Sequence, residues 1–382
     1  MESAASEPLI PRQSLGGLLL RFLRFGCLAW GGPVAQIAMI RQELVENERW
    51  ISPARFNRVL AVYQALPGPE AHELCVYFGM LARGRWGAVV AGIGFMLPGF
   101  VLMFGISWWY LTHGIDAQRF AGAFHAMQAA VAALIVRAVF RLGSHAVTTR
   151  WLLAIALAGA AAQLLGVHFL VTLLAAGLIH SAARGRIAPR SAVLMALPLN
   201  AGPALAALAV PGLLSLFVVG LRSGLLTFGG AYTVIPFLQH DAVVIGGWMT
   251  NEQFLDGLAL SSILPAPAVI IATFVGYAGG GPVGAIALTA GVFLPAFAFT
   301  LIGHRRFERV TDDRTVHAFL DGITAAVIGL IAVTAAGLSR VAVTDLPSAV
   351  VFSAVLVLLS VWRSSAAAPV VMLGSALVGS IL

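Results

Sequence analysis

Lysine is absent from this 382-residue sequence, so all 23 basic residues are arginine, and charged residues of both signs make up only 10% of the chain. A soluble domain carries about 25% charged residues. The shortage leaves no room for a sizeable water-exposed domain. Cysteine is nearly missing as well: Cys27 and Cys75 stand far apart inside apolar segments, without metal-ligand spacing, and read as small apolar fillers. No Walker A run, no HExxH and no Gly-x-Ser-x-Gly is present. The chain is therefore not expected to hydrolyse ATP or to carry a familiar hydrolytic centre, and no metal or cofactor is expected. The net charge of +7 comes from arginines scattered over short loops, which excludes a basic domain for nucleic acid.

Apolar residues fill the space. They make up 59% of the chain, mean hydropathy is +0.92, and apolar runs recur along the whole length. This predicts an all-α polytopic membrane protein surrounded by lipid. The tail Met1 to Ser14 is acidic as well as basic, and the apolar run behind it is interrupted by Arg21 and Arg24. A cleavable signal peptide is not expected.

The sequence matches itself. Arg24, Gly26, Gly31, Gly32 and Trp50 recur 198 positions later as Arg222, Gly224, Gly229, Gly230 and Trp248, and Leu66, Pro67 and Pro69 recur as Leu264, Pro265 and Pro267. After one slip, Gly79, Gly84, Gly87 and Pro98 fall on Gly276, Gly281, Gly284 and Pro295; after another, Ala129, Ala130 and Val131 fall on Ala325, Ala326 and Val327. Such an ordered series predicts internal duplication. The expected division is a cytoplasmic tail over 1–14, a first repeat over 15–184, a linking span over 185–211 and a second repeat over 212–382.

Arginine placement orients the halves. Loops of the first repeat carry Arg41, Arg49, Arg55 and Arg58, then Arg83 and Arg85, then only Arg119, then Arg141 and Arg150. The matching loops of the second carry none between Gln239 and Gln253, none from Ala278 to Pro282, then Arg305, Arg306, Arg309 and Arg314, then only Arg340. Rich and poor loops exchange places. Positive-inside anchoring then demands opposite orientations, with a cytoplasmic N-terminus and the run Ala192 to Val210 supplying the extra crossing.

Within each repeat two segments are broken. The run Phe56 to Ala82 is interrupted by Pro67, Gly68 and Pro69, where two amide donors are missing and the residues before proline avoid the α region. Each piece spans about half of a ~30 Å hydrocarbon core, so re-entrant half helices are expected, with kinked spans as the alternative. Leu15 to Ile40 is broken at Gly31, Gly32 and Pro33, and the second half at Gly229 and Gly230 and at Pro265, Ala266 and Pro267. Half helices beginning near the midplane expose unpaired N–H groups and a positive dipole end, a ready site for an anion. These residues, with Arg24 and Arg222 near mid-depth, form the candidate substrate site. Structural pairing is the competing role for the two arginines.

Glu70, His72 and Glu73 follow the first Pro-Gly-Pro, whereas their counterparts are Ala268, Ile270 and Ile271. Acids there either complement the helix dipole or accept protons beside an incoming anion. The repeats match in shape and differ in chemistry. His125 and Asp321 occupy matching positions in later spans.

The runs WGGP at Trp30 to Pro33, ERWIS at Glu48 to Ser52, LPGPEA at Leu66 to Ala71 and MLPGF at Met96 to Phe100 resemble the chromate ion transporter family. The second-half FGGA, LPAP and FLPAF runs resemble its C-terminal homologous domain. The resemblance covers nearly the whole chain and implies a two-domain bacterial inner-membrane exporter of chromate, coupled to protons and conferring chromate resistance. Sulfate uptake or exchange, an anion channel and an intramembrane enzyme remain as alternatives. Expected partners are a tetrahedral oxyanion, protons and lipid, with a homodimer left open. Two departures stand out: Ala266 and Ala231 replace the first repeat's Gly68 and Pro33.

The swapped arginine loops generate a topological prediction. Cysteines introduced in the loop beside Arg41 and in the loop beside Gln239 should react with an impermeant thiol reagent from opposite faces of the membrane. Reaction of both from one face would remove the inverted arrangement.

Overall fold

A backbone amide inside hydrocarbon has no water to bond, so a chain crossing a bilayer must satisfy its amides within helices or against other protein. The computed structural model follows that rule; it describes residue 10 and residues 13–113, 117–185, 212–228, 230–311, 314–362, 364 and 366–381. Every regular element among them is helical. The linking span expected over 185–211, most of the tail over 1–14, and Gly229 lie outside the described residues.

The first half runs α1 (Leu15–Cys27), α2 (Gly32–Ile40), α3 (Pro53–Ala65), α4 (Glu70–His113), α5 (Ala117–Ala146), α6 (Arg150–Leu164) and α7 (Phe169–Ala183). The second runs α8 (Leu213–Leu225), α9 (Ile235–Gln239), α10 (Asn251–Ile263), α11 (Ile271–Thr311), α12 (Arg314–Ala342), α13 (Leu346–Val361) and α14 (Ala367–Ile381). The order of elements is the same in both. Even the wider π turns recur, Arg41–Asn47 after α2 and His240–Ile245 after α9. Among the described residues, four helices are long and apolar enough to cross a membrane, one each from α4, α5, α11 and α12.

Local chemistry sets the starts. Ser52 accepts a hydrogen bond from the Arg55 amide ahead of Pro53 at the first turn of α3, and Thr250 and Gln253 form a capping box at the head of α10. The breaks fall where the sequence places them. Residues 28–31 separate α1 from α2, 66–69 separate α3 from α4, and 264–267 precede the short turn leading into α11.

Neither α4 nor α11 is a single rod. Arg83 and Gly84 leave helical geometry, as do Gly280 and Gly281, with Gly84 at φ +62° and Gly281 at φ +63°. A Cβ added to Gly79 would lie 2.3 Å from the Gly87 carbonyl oxygen, and one added to Gly276 would lie 2.5 Å from that of Gly284. Eight residues of straight helix would separate such atoms by about 12 Å. Each helix therefore folds back on itself as a tight hairpin.

The two halves are interlocked. α6 and α7 of the first pack on α12 of the second, while α13 and α14 of the second pack on α5 of the first. The hydrophobic interior falls into two clusters that share α4. Side chains of α1 to α3 and of α4 up to Phe95, including Phe22, Phe56 and Phe78, with Trp50, form one; Met103 and Tyr110 farther along α4 belong to the second, with later first-half helices and the second half.

Candidate functional site

Three of the four breaks meet in the interior. The Gly68 amide donates to the carbonyl of Thr227 at 3.0 Å, joining the Pro-Gly-Pro break of one half to the break after α8 in the other. A Cβ on Gly68, whose φ is +153°, would lie 3.7 Å from that of Ala296; one on Gly99 would lie 2.4 Å from that of Ala266. Gly68 and Ala266 are repeat mates, and so are Gly99 and Ala296. The two contacts are thus one contact made twice, with the halves exchanging roles. Ala266 fits because its partner at that crossing is glycine; the Gly-to-Ala exchange between the repeats is balanced on the facing helix. Pro67, Pro69, Pro265, Pro267 and Gly230 are buried around this junction.

The fourth break does not reach it. Gly31 is exposed, Gly32 and Pro33 are half-buried, and Trp30 is 38% exposed. Their second-half counterparts Phe228, Gly230 and Ala231 are buried. The expected convergence of four breaks is a convergence of three, with the first at the protein surface.

The first turn of α4 begins at the junction. His72 and Glu73 are fully buried, and neither side chain has a hydrogen-bond partner. The His72 ring stands among Phe95, Phe293 and Phe297, with centroids 5.0 Å from Phe293 and 4.8 Å from Phe297. Oε1 of Glu73 faces Gly68, only 2.8 Å from where a Cβ would stand. Such a carboxyl, aimed at opened backbone and left without a donor, is suited to take a proton or respond to a ligand's charge. Glu70 is half-buried and interacts electrostatically with Arg141.

Arg24 and Arg222 lie away from the junction, and each is paired. Arg24 approaches Glu43 at 3.8 Å, and Arg222 bonds Asp241. Glu43 and Asp241 are themselves 198 positions apart, so the ion pair was duplicated with the repeat. The partners are carboxylates on the π turns. Burial separates the copies: the Arg24 side chain is 70% exposed, that of Arg222 only 12%. The Arg222 guanidinium lies 5.1 Å from the ring centre of Phe169 on α7, which screens it.

Sequence reasoning passed over Arg137 and read Arg141 only as a loop arginine, whereas both lie within α5. Arg137 and Arg141 lie one turn apart on α5, and both interact electrostatically with Tyr232 in the second half's buried break. Gly230 stands 3.7 Å from Leu142 of the same helix, again measured from an added Cβ. Their counterparts in α12 are Val333 and Gly337, so the repeat alignment passed over them. Their i, i+4 spacing was the available signal. Together with the head of α4, these side chains could hold a multivalent anion by charge and backbone amides. Among the described residues, no three His, Cys, Asp or Glu side chains are grouped to hold a metal ion.

A profile described as chromate transporter matches residues 16–181 and again residues 214–380. A chromate transport protein of Pseudomonas aeruginosa is 51% identical over 98% of this chain and 94% of its own length. A probable chromate transport protein of Synechococcus elongatus is 31% identical over 92% of this chain and 91% of its own. One from Cupriavidus metallidurans is 30% identical over 99% and 95%. No solved structure matches.

The duplicated ion pairs should differ sharply in weight. Asp241→Ala strands a buried guanidinium, expected to cost about 3–5 kcal/mol, whereas Glu43→Ala removes an exposed partner worth about 1 kcal/mol or less. Thermal melts in detergent would read the difference, and equal losses in the two variants would contradict it.

Proposed function

From the premise that this chain belongs to the chromate transporter family, we propose that it exports chromate across a bacterial inner membrane, coupled to protons, and so confers chromate resistance. Membership in a transporter family supports reading it as a carrier of solute rather than an enzyme. The observation that carries the reading is the buried junction of broken helices, joined by the Gly68 to Thr227 hydrogen bond and bordered by the head of α4. Two arginines of α5 supply charge from one side. Glu70, His72 and Glu73 supply titratable groups from another.

In this reading the halves 15–184 and 212–382 lie in opposite orientations around the junction, with the N-terminus cytoplasmic. The alternation of arginine-rich and arginine-poor loops supports it. Substrate contact falls on the breaks at Pro67 to Pro69, at Gly229 and Gly230 and at Pro265 to Pro267. The exposed Gly31 and half-buried Gly32 and Pro33 form the outer approach together with Arg24. Arg222 acts by fixing the second half's break through Asp241.

Coupling follows from electrostatics. A dianion 4 Å from a carboxylate meets a repulsion of about 8 kcal/mol at an effective dielectric of 20. Neutralising Glu70 or Glu73 removes that barrier, so the protonation of these acids and the occupancy of the anion are linked. Glu70 and Arg141 can also separate, freeing the guanidinium for the substrate as the acid takes its proton.

Gln substitution at the coupling acid should keep anion exchange and remove its dependence on a pH gradient. The check is chromate flux in proteoliposomes with and without an imposed gradient. If Glu70→Gln and Glu73→Gln both retain full gradient-driven transport, these acids serve only the helix dipole.

A further inference from the structure

A cavity of about 240 Å³ separates α3 of the first half from α12 of the second, and its lining includes Gln64, Phe228, His317, Asp321 and Thr324. The three α12 residues fall at i, i+4 and i+7 and so form one polar stripe on a helix that is otherwise apolar. Space of this size with several polar partners holds several waters.

One side of it is lined by chain neighbours of the junction, with Gln64 exposed and Phe228 buried. Gln64 lies one turn before Gly68, and Phe228 follows Thr227, whose carbonyl accepts the Gly68 amide hydrogen bond. Glu73, buried and without a partner, faces the same Gly68. His317 and Asp321 are exposed at the other end, near the start of α12. We infer that this cavity is a hydrated proton route, with Asp321 as its relay between the cytoplasmic surface and Glu73. The inference rests on the proton-coupled reading above.

The charge environment fits protons better than the anion. Asp321 repels a dianion, while the cations Arg137 and Arg141 approach the junction along α5. The groups facing Asp321 are His317 on its own helix, Gln64 on α3 and His180 on α7, with Arg184 closing α7 beside His180. The matched stripe on α5 holds His125 and Gln128, and it is built differently. Gln128 donates to buried Asp256 at 2.9 Å, and the Tyr110 hydroxyl donates to the same carboxylate at 2.6 Å. Polar groups at that crossing bond one another.

Two measurements test this together. The first compares gradient-driven chromate flux with chromate exchange in the same proteoliposomes for wild type, Asp321→Asn and Asp321→Glu. The ratio of the two fluxes should fall about tenfold in the Asn variant and recover in the Glu variant. An unchanged ratio in Asp321→Asn overturns the route and leaves proton coupling standing; a wild type indifferent to the gradient overturns both. The second measurement places cysteine at Gln64 or Thr324 in a Cys27→Ser, Cys75→Ala background and applies a small hydrophilic thiol reagent from each face. Labelling from the cytoplasmic face supports a hydrated route even where Asp321→Asn loses all transport. Protection of both positions shows a dry cavity and overturns it.

Discussion

A peptide group released from a helix inside lipid must find its hydrogen bond in protein, and that requirement organises this molecule. Proline and glycine open the chain at 66–69, 226–230 and 264–267. The opened backbone of each half is then covered by the other half. The Gly68 to Thr227 hydrogen bond does this directly, and the reciprocal crossings of Gly68 on Ala296 and Gly99 on Ala266 bring the helices close enough for it. The exchange of α6 and α7 for α13 and α14 across the halves holds the junction closed.

Near-symmetry makes the departures informative. The Arg222 to Asp241 pair is screened by Phe169, whereas the Arg24 to Glu43 pair lies open. The residues that follow α1 lie at the surface while those that follow α8 are buried, and α1 to α3 share a hydrophobic cluster with α4 up to Phe95. Repeat mates in different surroundings are what alternating exposure of a central site requires.

Much of this was legible in the residues. The breaks, the reversals at Arg83 and Gly280, and the duplication follow from proline and glycine chemistry, which acts locally and survives into the fold. The reciprocity of Ala266 with Gly99 did not show, because a substitution at one crossing is compensated by a residue some 167 positions away. Arg137 stayed hidden, and Arg141 was read only as a loop arginine, because the second repeat carries neither. The surface position of Gly31 to Pro33 depends on packing between halves, which the composition of the segment does not encode. Glu43 and Asp241, by contrast, stood at the same 198-residue offset as the arginines they pair with.

In the proposed mechanism shape and charge divide the work: the junction supplies opened backbone and helix dipole, α5 supplies fixed cations, and the head of α4 supplies titratable groups. The central claim is that an oxyanion binds at this junction and is carried by it. Chromate counterflow tests it most directly, with purified protein in liposomes holding unlabelled chromate and labelled chromate added outside. The account predicts transient accumulation of label above its outside concentration, abolished when Arg137 and Arg141 are both replaced by Gln. Equilibration without any overshoot in the wild type would contradict it.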